Sequence, residues 1–131
     1  MRLLGIHVHQ QEIILVIESD DLIRGLLERW LGEAGYAVAV RTLQTLAEDR
    51  IWQGPPHLII ADVPSPRGAE RLIQSVREVY PSPILILSAR FRRGLGASMD
   101  VATRLGVRKI LPKPFTRKEL LSAISESLER S

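Results

Sequence analysis

Three short runs in this chain are built almost wholly of isoleucine, leucine and valine: Ile13-Ile-Leu-Val-Ile17, Leu58-Ile-Ile-Ala61 and Ile84-Leu-Ile-Leu87. Each is shorter than an ordinary helix and rich in β-branched residues, and none alternates apolar with polar positions. A strand dispenses with that alternation when both of its faces are covered, as in a parallel sheet packed between helices.

The second run stops on one acid, giving His57-Leu-Ile-Ile-Ala-Asp62 followed by Val63-Pro-Ser-Pro66. In open α/β sheets, ligands bind at the carboxyl ends of the strands. Asp62 therefore reads either as a turn residue or as a carboxylate on display, and by itself it does not decide between them.

Helical signals fill the intervals. Glu18-Ser-Asp-Asp21 suits a helix N-terminus, where the macrodipole favours acids. Leu22, Ile23, Leu26, Leu27, Trp30, Leu31 and Ala34 then recur at helical spacing, with Gly35 as the stop. Residues 36–40 read as a strand. Thr42 reads as the cap of a helix through Trp52, ended by Gly54-Pro-Pro56. A third helix is expected from Gly68 to about Tyr80, with Leu72, Ile73 and Val76 inward and Pro81-Ser-Pro83 as the break. After Ser88 comes a basic loop, residues 90–96, and then a short helix to about Leu105. Its Gly94-Leu-Gly96 lacks the Gly-Lys-Ser/Thr of a phosphate-binding loop. Residues 107–111 make a fifth strand. Thr116-Arg-Lys-Glu119 is a capping box for a last helix that buries Leu120, Leu121, Ile124 and Leu128.

Five strands alternating with five helices give an α/β fold: a parallel sheet covered on both faces. Right-handed crossovers bring every strand's carboxyl end to one edge. With 131 residues, one domain with a substantial core is expected, spanning residues 12–130. Residues 1–11 form an N-terminal extension. His7 and His9 there would share one strand face, as a metal pair or simply as part of an edge segment.

Composition excludes several classes. The chain has no cysteine, hence no disulfides, thiolate metal site or cysteine nucleophile. No apolar run matches a transmembrane span, and the first residues lack a signal-peptide core. No membrane association and a cytoplasmic location are therefore expected. The net charge of +3 is unevenly spread, with ten bases against four acids in residues 90–131. Such a face either is solvated or steers an acidic partner. It lacks interleaved aromatics, so direct nucleic-acid binding is not expected.

The topology collects four strand ends: Glu18-Ser19-Asp20, Asp62, Ser88 and Lys113. The acids could hold a hard cation such as Mg²⁺, which takes a few carboxylates plus water and phosphate oxygens. A cation and a lysine would neutralise charge on a phosphoryl group moving to Asp62, and a serine hydroxyl could bond its oxygen. Each residue also has a plainer reading. Glu18, Asp20 and Asp21 could cap a helix, Ser88 could bond the backbone and Lys113 could be a surface cation.

Over about residues 12–130 the sequence resembles the receiver domain of two-component response regulators, the CheY-like superfamily. Ile84-Leu-Ile-Leu-Ser-Ala89 and Leu105-Gly-Val-Arg-Lys-Ile-Leu-Pro-Lys-Pro-Phe-Thr116 carry the likeness. Lys113-Pro114-Phe115 is its most specific part, and in that family the peptide before the proline is often cis. The resemblance implies a flavodoxin-like, doubly wound sheet of order 2-1-3-4-5. It also implies Asp62 as phospho-acceptor, Ser88 as switch hydroxyl and Lys113 as phosphate-contacting lysine. Pro66 matches the proline four positions after the acceptor. Glu18 and Asp62, with Asp20 as a further candidate, match the Mg²⁺ ligands. The implied donor is a sensor histidine kinase or phosphotransfer protein, and the implied output is a downstream protein contact through the basic 90–118 face. At most, such a domain catalyses its own phosphorylation and dephosphorylation.

Three positions depart from that family. Ser19 stands where the second of two adjacent acids is usual, so a weakened Mg²⁺ site is expected. Gly68 comes about two residues early. Ile110 replaces the switch aromatic, so the usual inward movement of a ring cannot operate. These departures suit an alternative, a phosphorylation-independent pseudo-receiver that acts as an interaction module. A small flavodoxin-like enzyme is a further alternative, opposed by the missing glycine loop and nucleophile–base pair.

Overall fold

The structure, a computed structural model, describes residues 11–46, 55–63, 66–89 and 95–129. Five strands form one parallel sheet: β1 (Ile13–Ile17), β2 (Ala37–Val40), β3 (Leu58–Asp62), β4 (Ile84–Ser88) and β5 (Lys109–Pro112). Their order is β2-β1-β3-β4-β5. This is the doubly wound, flavodoxin-like fold. The three runs rich in isoleucine and leucine are the three central strands, which alone have a strand on either side, while the apolar Ala37–Val40 is the edge strand β2.

Among the described residues there are four α-helices: α1 (Asp21–Glu33), α2 (Pro66–Arg77), α3 (Leu95–Leu105) and α4 (Arg117–Glu129). Of the expected helix from Thr42 to Trp52, only a 3₁₀ turn at Leu43–Thr45 is seen. There the hydroxyls of Thr42 and Thr45 each accept the other residue's backbone N–H, which closes a short turn. Residues 47–54 lie outside the described residues, as do His7, His9 and the cations Arg90, Arg92 and Arg93.

One further expectation is corrected, and the burial of α1 is resolved. α2 begins at Pro66 rather than Gly68, because a helix's first position has no use for the N–H that proline lacks. Leu22 and Leu26 share the helical spacing of α1's apolar residues, yet they are 79% and 39% exposed. Leu27 and Leu31 fill the space under α1, and Leu22, in its first turn, is left in solvent. Gly35 does stop α1. Its φ of 98° lies in the left-handed region open to glycine, and Tyr36 N–H returns to the Leu31 carbonyl at 3.0 Å.

Alternation along the strands divides the core in two. Ile14, Val16, Leu58, Ile60, Leu85, Leu87 and Leu111 pack with Leu27 and Leu31 of α1 and Leu120 and Ile124 of α4. Leu15, Ile59, Ala61, Ile84, Ile86 and Ile110 pack with Leu72, Ile73 and Val76 of α2 and Ala102 of α3. Burying each Leu, Ile or Val stabilises the fold by about 1.5–3 kcal/mol, and the sheet is thereby a rigid platform. His57 closes its amino edge: its N–H donates to the Ile13 carbonyl at 2.8 Å, and its Nδ1 accepts Ile13 N–H at 2.9 Å.

Candidate functional site

The carboxyl edge of the sheet is where the charged side chains meet. β1 continues past Ile17 into Glu18, which is buried, then Ser19 and Asp20, which are exposed. Asp20 is the N-cap of α1. Its Oδ1 accepts the backbone N–H groups of Leu22 at 2.9 Å and Ile23 at 3.1 Å, donors that a helix start leaves without partners. Glu18 turns inward, and its Oε2 accepts Asp20 N–H at 3.1 Å.

Lys113 arrives from the far side of the sheet, one residue beyond β5. Its N–H extends the ladder by donating to the Ser88 carbonyl at 2.9 Å. Its Nζ donates to Asp62 Oδ1 at 2.7 Å and to Glu18 Oε1 at 3.0 Å. The side chains of Glu18, Lys113 and Asp62 are 1%, 13% and 17% exposed. This is therefore a desolvated ion-pair cluster and not a screened surface bridge. Burial by itself would lower the Lys113 pKa. The hydrogen bonds and charges of Asp62 and Glu18 outweigh it and hold the ammonium above the usual lysine range.

The structure thus brings Glu18, Asp62 and Lys113 together from strand ends 51 and 95 residues apart along the chain. Ser88 is fully buried at the tip of β4, opposite Pro112, and its carbonyl positions Lys113. The Lys113–Pro114 peptide is cis. Thr116 and Glu119 form the expected capping box at 3.0 and 2.9 Å, so α4 starts directly after the site. Sequence reasoning gave Arg24 no role at the site. Its guanidinium bonds Asp21 at 2.6 Å and approaches the Glu18 carbonyl at 3.5 Å. The three-residue spacing of Asp21 and Arg24 on a helix was the available signal. A cavity of about 270 Å³ opens beside Lys113, lined by Ile23, Leu26 and Trp30 of α1 and by Pro114 and Phe115.

A doubly wound parallel α/β sheet with two acids and a lysine at its carboxyl edge carries its charged groups where sheets of this class bind their ligands. The sequence profile described as the response regulator receiver domain matches residues 14–125, and the chain belongs to that family. It is 31% identical over 119 residues to the DNA-binding transcriptional regulator NtrC of Bradyrhizobium sp. (strain RP501 Parasponia), an alignment covering 88% of this chain and 24% of that protein. It is 32% identical over 118 residues to protein PetR of Rhodobacter capsulatus, covering 89% and 48% respectively. The chain therefore spans less than half the length of either relative.

Among solved structures, a response regulator from Thermotoga maritima superposes with a TM-score of 0.71 at 19% identity, covering 92% of this chain and 99% of that one. The chemotaxis response regulator CheY4 of Vibrio cholerae superposes with a TM-score of 0.70 at 23% identity, covering 91% and 100%. Both likenesses concern the fold. Receiver domains are generally signalling modules that interact with histidine kinases or phosphotransfer proteins and with downstream effectors. No helix among the described residues is long and apolar enough to cross a membrane.

Receiver domains generally bind Mg²⁺ at the phosphorylation site, and the donor set here fits that ion poorly. Ser19 is neutral, Asp20 has an oxygen committed to the α1 cap, and both Glu18 oxygens hold internal donors. Among the described residues no three His, Cys, Asp or Glu side chains converge as a ligand set.

Proposed function

We propose that the domain accepts a phosphoryl group on Asp62 from a sensor histidine kinase or phosphotransfer protein and signals through protein contacts. The observation that carries this reading is Lys113 Nζ at 2.7 Å from the Asp62 carboxylate, at the edge of the sheet. In the transfer, an Asp62 oxygen bonds phosphorus as the phosphorus–nitrogen bond of the donor histidine breaks, and the imidazole keeps the electron pair. Lys113 offsets the charge added at Asp62, and Ser88, one residue past Asp62's partner Leu87 on the adjacent strand, is the hydroxyl assigned to the phosphoryl oxygen. A weakened Mg²⁺ site follows from the neutral Ser19. Residues 12–130 make up the signalling unit, which the family match over 14–125 supports, with 1–11 as an extension.

The output surface in this reading is the basic 90–118 region. Several of its cations are already tied down within the described residues: Lys109 to Glu126, Arg117 to Glu33, and Arg108 to the Ser127 carbonyl. The second reading, a phosphorylation-independent interaction module, is favoured by Ile110, which is 3% exposed and packed in the α2–α3 core where a mobile ring is usual.

Intact mass after incubation with acetyl phosphate, beside Asp62→Asn, separates the two. One phosphoryl adduct that is absent in Asp62→Asn is the expected result. No adduct from either acetyl phosphate or a phosphorylated kinase would leave the interaction module as the function.

A further inference from the structure

Glu18 spends both carboxylate oxygens inside the protein, one on Lys113 Nζ and one on the Asp20 backbone N–H. The same ammonium holds Asp62 Oδ1. It therefore contacts the buried Glu18 carboxylate and the partly exposed Asp62 carboxylate at once, and it leaves the trio with a single net negative charge.

We infer that Lys113 is the resident cation of this pocket, with Glu18 as its positioning residue, so that a divalent ion such as Mg²⁺ or Mn²⁺ binds only by displacing the ammonium. This deepens the proposed function and rests on its reading of Asp62 as the reactive carboxylate. A hard divalent ion gives up water reluctantly and relies on the full charge of the carboxylates that replace it. Lys113 removes half of that charge. It is also tethered to the site by its own chain, so it competes at a high effective concentration. Ser19 withholds the acid that would tip the balance back toward the ion.

The test is a Mn²⁺ titration of the full chain, followed by water-proton relaxation with no phosphoryl donor present. The unaltered protein is expected to show no saturation up to about 1 mM, the weak end of protein cation sites. Lys113→Met and Lys113→Gln, which take the ammonium charge away from both carboxylates, are expected to gain at least about tenfold in affinity, the scale on which single groups around a metal act. Adding Glu18→Gln to Lys113→Met is expected to abolish the gain. In thermal melts, Mg²⁺ should raise the Tm of the Lys113 variants and leave that of the unaltered protein in place. Saturation of the unaltered protein well below 1 mM would overturn the inference, as would folded Lys113 variants that bind no more tightly. The titration reads cation occupancy alone, so its failure is distinct from a failure of Asp62 to take up a phosphoryl group.

Discussion

On the face covered by α1 and α4, the strand positions run Ile14, Val16, Glu18 on β1, then Leu58, Ile60, Asp62 on β3, then Leu111 and Lys113 at β5. On the face covered by α2 and α3 they run Ile59, Ala61, Val63, then Ile84, Ile86, Ser88, and Ile110 at β5. A period of two carries the first series out of the core into three charged groups. It carries the second into a valine and a buried hydroxyl. The charge chemistry thus belongs to the α1–α4 face. Ser88 and Ile110, which the proposed function reads as the switch hydroxyl and as the replacement of the switch aromatic, share the other face. In that reading, a signal leaving Asp62 toward α3 would have to cross the sheet edge and then meet a packed isoleucine.

The severest way to break this comparison is to remove the charge that joins the three strand ends. Lys113→Met strands a buried carboxylate, and urea unfolding should show a loss of about 3–5 kcal/mol. An unchanged midpoint would mean that the cluster contributes nothing to the α1–α4 face.

The pH dependence of that loss sharpens the point. The folded-state pKa of Lys113 is raised, so its contribution is fully present below the unfolded lysine value of about 10.4. It is then lost as pH rises through the folded value. The gap between the unaltered protein and Lys113→Met should accordingly hold steady from neutral pH up to that point and narrow above it. A gap that widens in alkali would reverse the assigned sign.

A smaller effect is expected on the opposite face. Ile110→Phe overfills a closed core and should cost about 1–3 kcal/mol. Uptake of phosphate from acetyl phosphate at Asp62 should stay as it was, because the substituted side chain faces away from the acids. Impaired uptake would show that the two faces are coupled at the site. Smallest of all, Asp20→Ala removes the α1 cap and should cost about 1 kcal/mol. It should leave the Lys113 pairs intact, as read from an unchanged alkaline profile.

Much of this was legible in the residues. Apolar runs without alternation called for strands buried on both faces, and the central strands β1, β3 and β4 are those runs. The capping box at Thr116 and Glu119 and the stop at Gly35 were likewise local, since each joins groups a few residues apart. What the residues left open has a common cause. Leu22 and Leu26 fit the helical period as well as Leu27 and Leu31 do, and only the packed sheet shows which pair lies under α1. Thr42 signalled a helix start, and within the described residues it caps a 3₁₀ turn that its reciprocal bonds with Thr45 close.

The strand-end acids show the boundary most sharply. Glu18, Asp20 and Asp21, set around the neutral Ser19, look nearly alike as a stretch of sequence, each acid able to cap, to bind an ion or to face water. In the fold, Glu18 is buried against Lys113, Ser19 is exposed and Asp20 closes the helix. By itself the sequence determined the sheet, the helices that cover it and the edge on which the acids lie, because hydrophobic period and chain breaks are properties of neighbouring residues. The tertiary structure alone decided which oxygen takes which donor. Those contacts join residues 51 and 95 positions apart, and their geometry depends on the register of strands that the chain sets only when it closes.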